Sequence, residues 1–149
     1  MKIARSRGPR VLVSAIMKKL LLAIIAAYVL LMGTNYLVHS IILMPDYDAI
    51  PLSHRTNAGI AERMWAMAIG QFFLAAAFAF IYTRGQERKP WLLQGIRYGI
   101  VITFLTVVPY SLSEYMVYLV PYMLAIKWMV AGGIQMILMG IVVAAICKE

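Results

Sequence analysis

Four long stretches without a charged side chain divide this sequence, and short charged segments separate them. The stretches cover residues 20–45, 64–83, 98–113 and 128–147. A bilayer core about 30 Å thick needs about 20 apolar residues in a helix that rises about 1.5 Å per residue. Three stretches reach that length by themselves, and the third reaches it with its flanks. The pattern predicts an all-α fold, an integral membrane four-helix transmembrane bundle with spans at about 18–43, 60–83, 91–115 and 122–147.

Composition agrees with lipid as the main solvent of the chain. Hydrophobic residues make up 63% of it and charged residues 13%, against roughly 25% charged residues in a soluble domain. The connectors, about 10 to 20 residues each, are too short to form a soluble catalytic domain. We therefore predict one transmembrane domain at 17–149. Residues 1–16 are interpreted as a basic cytoplasmic tail, either disordered or preceding a true start at Met17.

The charges are distributed unevenly between the two sides of the predicted bundle. All but Arg55, Arg63 and Lys127 of the 14 Lys and Arg residues flank the N-terminus, the second connector or the C-terminus. Because basic residues concentrate on the cytoplasmic side of membrane proteins, both termini are predicted to be cytoplasmic. This placement explains the net charge of +8 better than nucleic-acid binding does. Membrane lipids are the expected partners, with a larger membrane complex or a homo-oligomer as further partners.

Cysteine and methionine point to no cofactor. Cys147 is the one cysteine, so an intramolecular disulfide and Cys-pair redox chemistry are excluded. We interpret it as a small apolar residue at a helix end, with palmitoylation as the alternative. The 11 methionines indicate adaptable packing more than soft-metal transport.

Small residues recur at helical spacing along three of the spans. They are Ala66/Gly70, Ala75/Ala79, Gly95/Gly99 and Gly133/Gly140. Such spacing lets membrane helices approach closely. The pairs are interpreted as packing faces within the bundle or as a homodimer seam.

Two prolines mark expected irregularities. The first helix is expected to stop at Met44–Pro45, because proline cannot continue the hydrogen-bond ladder. Pro109 lies inside the third span, so a kink is expected near Thr106. A neighbouring hydroxyl would satisfy the carbonyl that the proline frees.

Polar side chains within the spans are few, and several lie toward the outer side. The candidate ligand-binding residues are Asn35, His39, Gln71, Tyr110 and Glu114. Buried polar groups in lipid need partners, so these side chains are expected to converge on the bundle interior. The pattern predicts a polar pocket that opens to the non-cytoplasmic face. It assigns no catalytic residue and no metal ligand.

His39 and Glu114 each have two interpretations. His39 is either a hydrogen-bonded packing residue or a functional group that exchanges protons, binds a metal or haem, or contacts a quinone or lipid head. A haem held by two histidines needs a second one within the spans, and His54 lies in a connector. Glu114 is either part of the pocket or an interfacial carboxylate in an aromatic belt, paired with Lys127 or Arg63.

The chain resembles small four-helix bacterial inner-membrane proteins of a domain-of-unknown-function family. The resemblance rests on Gly33-Thr34-Asn35-Tyr36-Leu37, on Gly95/Gly99 and on the run from Gly132-Gly133 to Gly140. It implies a four-helix fold and a multi-pass location in the cell inner membrane, with no catalytic residue.

Three functions follow from the sequence as hypotheses. The first is a non-catalytic accessory subunit or lipid-interacting membrane protein, which the short loops favour. The second is a carrier or binding protein for a small hydrophobic ligand, using the outer polar pocket. The third is a quinone- or metal-linked membrane enzyme that uses His39 and Glu114.

Overall fold

The computed structural model describes residues 9–50, 57–87 and 89–148, and within them it contains helices and no strand. The α-helices are α1 (Pro9–Leu37), α2 (Met44–Asp48), α3 (Asn57–Ala61), α4 (Met64–Arg84), α5 (Trp91–Ile102), α6 (Val108–Val117) and α7 (Tyr122–Cys147). A π-helical turn at Val38–Ile42 extends α1, and a second at Thr103–Val107 joins α5 to α6.

Four segments in the described part of the chain are long and apolar enough to cross a membrane. They are Ile16–Ile42, Met64–Arg84, Trp91–Val117 and Tyr122–Cys147, here called the first to fourth spans. The prediction of an all-α fold with four helices long and apolar enough to span a membrane is therefore confirmed. The first, third and fourth predicted spans match these bounds within two residues.

The structure differs from the prediction at the start of α1 and at the start of the second span. α1 begins at Pro9, so residues 9–16 of the predicted tail are helical, while residues 1–8 lie outside the described part. Proline is tolerated in a first helical turn, where its missing N–H has no helical partner to lose. The second span begins at Met64 instead of 60, because α3 is a separate short helix and Arg63 leaves helical geometry, with ψ at 4°.

Each π turn lies just before a proline. The Leu43 amide donates to the Val38 carbonyl at 2.8 Å, and the Val108 amide donates to Thr103 in the same five-residue pattern. A proline ring clashes with the carbonyl four residues before it, and a widened turn relieves that clash.

These turns bear on two expectations about the prolines. The first span ends at Ile42, next to the expected end at Met44–Pro45, and Pro45 itself occupies the first turn of the separate short helix α2. The irregularity expected near Thr106 is the second π turn, in which the Thr106 hydroxyl donates to the Ile102 carbonyl at 2.8 Å.

Small residues bring the spans together. Ala23 and Ala27 of α1 are fully buried, as are Ala75 and Ala79 of α4, where the first and second spans pack. Alanine at these positions lets the two backbones approach closely. The packing face predicted at Ala75/Ala79 is confirmed.

Glycines perform the same task where the third span packs on the fourth, the closest helix pair of the bundle. A β-carbon built on Gly99 would lie 2.5 Å from the Ile137 Cα. The packing face predicted at Gly95/Gly99 is therefore confirmed. Ala66 and Gly70, in contrast, are exposed, and apart from the adjacent residues and backbone of its own helix no described heavy atom lies within 4 Å of a β-carbon on Gly70.

The bundle is tightly packed toward one end. That end, here called the basic end, carries Lys19, whose ammonium donates to the Lys148 carbonyl at 2.8 Å. Above it, the Tyr98 hydroxyl donates to the Phe78 carbonyl at 2.9 Å, and the two rings are 4.6 Å apart. These contacts join the second and third spans. Toward the opposite end, the far end, the same two spans line a cavity instead.

Candidate ligand-binding cavity

A cavity of about 530 Å³ lies between all four spans, in the half of the bundle toward the far end. Its apolar lining comprises Val38, Met67, Leu74, Val107, Ala131, Gly132 and Met136, and its polar lining comprises Asn35, His39, Gln71, Thr106, Tyr110, Ser111, Trp128 and Gln135. Both π turns contribute to it, the first through His39 and the second through Thr106. Wide turns of this kind are frequent at functional sites, since they redirect side chains out of the regular helical phase.

Four of the five residues predicted from the sequence lie together in this cavity. Asn35 and His39 come from the first span, Gln71 from the second and Tyr110 from the third. Glu114 is not among the lining residues. It lies one helical turn beyond Tyr110, whose hydroxyl its carboxylate contacts. The structure therefore places His39 at the cavity and Glu114 outside it.

The expected ion pairs of Glu114 are not the ones that form. Lys127 donates instead to both carboxylate oxygens of Asp46, at 2.7 and 2.8 Å. Arg63 pairs with its neighbour Glu62 at 3.1 Å. Each cation thus pairs with a carboxylate other than that of Glu114. Asp46 reaches Lys127 because α2 follows directly on the first span.

Gln135 lines the cavity although the sequence placed it deeper in the membrane, outside the candidate set. Its amide nitrogen donates to the Thr34 hydroxyl at 2.5 Å, the Leu31 carbonyl at 3.2 Å and the Asn35 side-chain oxygen at 3.3 Å. These bonds tie the fourth span to the first. The residue shares a helix face with Trp128, seven positions earlier, and that spacing is the signal that identifies both as neighbours.

Thr106 and Ser111 also belong to the lining and were outside the candidate set. Ser111 is only 2% exposed, and Thr106 lies in the second π turn. Both are polar residues within a span, which was the signal used for the other candidates. Their inward direction depends on the π turn, which a regular helical projection does not contain.

A hydrogen-bonded trio lies toward the far end, and two of its members, His39 and Trp128, line the cavity. The Trp128 indole nitrogen donates to the Tyr47 hydroxyl at 2.8 Å, and that hydroxyl lies 2.5 Å from Nδ1 of His39. Because an indole can only donate, the Tyr47 hydroxyl accepts from it and can give its own proton to His39. The His39 and Tyr47 rings are parallel, with an interplanar angle of 4°.

The environment of Tyr47 shifts its ionisation. Burial raises the pKa of the Tyr47 hydroxyl above its usual value, while the hydrogen bond from Trp128 opposes part of that rise. The negative charge of Asp46 nearby raises the pKa further. The hydroxyl is therefore a proton-bearing group at neutral pH, as its role toward His39 requires.

Gln71 has an unsatisfied polar atom. Its side-chain oxygen is buried and has no hydrogen-bond partner among the described residues. An unpaired buried acceptor costs about 1–3 kcal/mol. Since the Gln71 side chain also lines the cavity, a donor bound there recovers this cost once the terminal amide turns its oxygen toward the cavity.

The lining is polar without being charged. Within the described part of the chain, no Asp, Glu, Lys or Arg lines the cavity, and no group of three His, Cys, Asp or Glu lies close enough to hold a metal ion. His39 is the one imidazole of that lining. The arrangement offers hydrogen bonds from amides, hydroxyls and an imidazole inside apolar walls.

Comparison of the chain with protein-family models, with curated proteins and with solved structures finds no match in any of the three. The resemblance to small four-helix bacterial membrane proteins therefore stays a prediction.

Proposed function

We propose that this protein is a multi-pass membrane carrier or binding protein for a small hydrophobic ligand with a polar group. One observation carries the proposal: all four spans form a single cavity in which neutral polar side chains converge between apolar walls. Its volume of about 530 Å³ falls in the range of about 300–1,000 Å³ typical of small-molecule sites, which share this mixed lining.

A subunit of a larger complex or a homo-oligomer is the second candidate. It is favoured by Ala66 and Gly70, which present small residues on an exposed face of the second span. A face of this kind suits close approach by another helix. The enzyme hypothesis has less support, because Glu114 does not line the cavity together with His39.

The location that we propose is the cell inner membrane, with both termini in the cytoplasm. Lys19, Arg84 and Lys148 at the basic end support this orientation, since basic residues favour the cytoplasmic side. The cavity then opens toward the non-cytoplasmic half of the membrane.

Copurification tests the binding function. The protein is extracted in mild detergent, and the small molecules that stay bound are identified by native mass spectrometry. Ala131 lines the cavity, whereas its neighbour Val130 is 57% exposed on the outer surface of the bundle. Ala131→Phe should therefore displace the bound molecule, and Val130→Phe should retain it.

Thermal unfolding of both variants separates loss of binding from loss of folding. The proposal is contradicted if wild-type protein retains only bulk phospholipid, or if a folded Ala131→Phe variant retains its ligand as well as Val130→Phe does. A stoichiometric protein partner would instead support the subunit function.

A further inference from the structure

We infer that the ligand is an uncharged amphiphile whose head group donates a hydrogen bond, a long-chain alcohol or a phenol, and that Gln71 accepts this bond. This inference rests on the proposed binding function and assigns the chemical class of the ligand. It rests on three observations. The described lining of the cavity carries no charge, and three of its hydrogen-bond donors already have partners within the chain. The side-chain oxygen of Gln71 has no partner among the described residues.

The charges near the cavity determine which head groups it can accept. None of the described residues that line the cavity carries a charge. At the far end, Lys127 and Asp46 neutralise each other. A phosphate or carboxylate head would enter this part of the membrane without a cation in the lining, and an unpaired charge is costly there. The nearest carboxylate, Glu114, already contacts the Tyr110 hydroxyl. The lining therefore selects a neutral head group.

Three hydrogen-bond donors of the cavity lining already have partners within the chain. The amide nitrogen of Gln135 is engaged by the first span, the Trp128 indole donates to Tyr47, and the Thr106 hydroxyl donates to Ile102. These groups have partners within the chain. A ligand that accepts from these three groups would have to compete with their internal bonds.

The side-chain oxygen of Gln71 is a hydrogen-bond acceptor that is not in use. This oxygen is buried without a partner among the described residues, and the Gln71 side chain lines the cavity. The terminal torsion of a glutamine is broad, so the amide oxygen can turn toward a donor in the cavity at small cost. A hydroxyl head would satisfy this oxygen without breaking an existing bond.

The walls suit the apolar part of such a molecule. Met67 of the second span and Met136 of the fourth both line the cavity, with Leu74 and Val107 beside them. Methionine adapts its shape to irregular apolar groups. The walls thus accept a chain or a ring, while Gln71 selects the head group.

Fluorescence quenching tests this assignment. The protein has three tryptophans, so replacing Trp65 and Trp91 with Phe leaves Trp128, which lines the cavity, as the sole indole. The protein is placed in lipid nanodiscs and titrated with bromoundecanol, whose bromine quenches indole emission. The same titration is made with its methyl ether, which keeps the chain but lacks the donor, and with bromoundecanoate.

The alcohol should quench saturably and bind on the order of tenfold more tightly than the ether, which leaves the acceptor unpaired. In Gln71→Leu this preference should fall to about one. Gln94→Leu makes the same exchange in α5 near the basic end and should keep the preference. Gln71→Met, which retains the side-chain length, replaces Gln71→Leu if the latter does not fold.

The outcomes distinguish failure of the proposed binding function from failure of the head-group assignment. If none of the three probes quenches saturably, the binding function itself fails. If alcohol and ether bind equally, if the carboxylate binds more tightly, or if Gln71→Leu keeps the preference, binding stands and the assignment of a donor head to Gln71 is wrong.

Discussion

Gly95 and Gly140 bring the backbones of the third and fourth spans into direct contact. A β-carbon built on Gly95 would lie 2.6 Å from the Gly140 carbonyl oxygen and 2.9 Å from the Ala144 β-carbon. The obstructing oxygen belongs to the backbone, so the helices themselves must separate to admit a methyl group. This contact sets the distance between the two spans that form half of the cavity wall.

Gly95→Ala should therefore destabilise the bundle. Overpacking of a tight contact costs about 1–3 kcal/mol, and the loss would appear as a lower unfolding midpoint in a denaturing-detergent titration. Gly70→Ala is the control, because its β-carbon position has no described heavy atom within 4 Å apart from the adjacent residues and backbone of its own helix. Alanine favours the helix by up to about 1 kcal/mol over glycine, so this variant should be neutral or slightly more stable. Equal losses in both variants would contradict the contact.

Gln135 and Thr34 should be coupled energetically. The amide of Gln135 donates to the Thr34 hydroxyl at 2.5 Å across the interface between the fourth and first spans. Hydrogen bonds between membrane helices contribute about 0.6 kcal/mol on average and up to about 1.7 kcal/mol. A double-mutant cycle with Gln135→Leu and Thr34→Val should return a coupling free energy in that range. Additive effects would show that the bond contributes nothing measurable.

Stability at alkaline pH should report on Tyr47. Burial raises the pKa of this hydroxyl in the folded state, so the folded protein favours the protonated form. The stabilisation it contributes is complete below the unfolded pKa of about 10 and is lost as pH rises through the raised folded value.

The difference in unfolding free energy between wild type and Tyr47→Phe should therefore be constant below about pH 10 and shrink above it. Thermal unfolding across this range measures the difference. Tyr36→Phe is the matched control, since the Tyr36 side chain is exposed and its removal should leave stability unchanged. A difference for Tyr47→Phe that grows with alkaline pH would reverse the sign of the effect.

Cysteine labelling tests the orientation. In a Cys147→Ser background, Ala49→Cys places a thiol at the far end and Gly85→Cys places one at the basic end. A membrane-impermeant maleimide applied to intact cells should label Ala49→Cys and should reach Gly85→Cys only after permeabilisation. The opposite labelling would invert the proposed topology and would turn the cavity toward the cytoplasm.

The candidate site shows where prediction from sequence succeeds and where it stops. Asn35 and Gln71 were identified because a polar side chain within a span needs a partner, and that need is visible in the sequence. Gln135 was not among the candidates, although its amide bonds to the first span. Glu114 was included on depth and chemistry, yet it lies a turn beyond Tyr110 and outside the lining.

The π turns explain part of the difference between the predicted and the observed lining of the cavity. A residue added to one helical turn rotates everything after it by about 100° relative to a regular helix. Both turns occur before a proline, so their approximate positions were visible in the sequence. The direction in which Thr106 and its neighbours point was not, because it depends on how the helix relieves the proline clash against its packed partners.

The sequence by itself determined the number of helices able to span a membrane and their approximate lengths, because these depend on local composition measured against the thickness of a bilayer. Only the tertiary structure decided which faces meet. The glycine contact between the third and fourth spans, the aromatic contact of Phe78 with Tyr98 and the two π turns set the rotation and spacing of the helices. Those distances leave a cavity toward one end and a packed core toward the other.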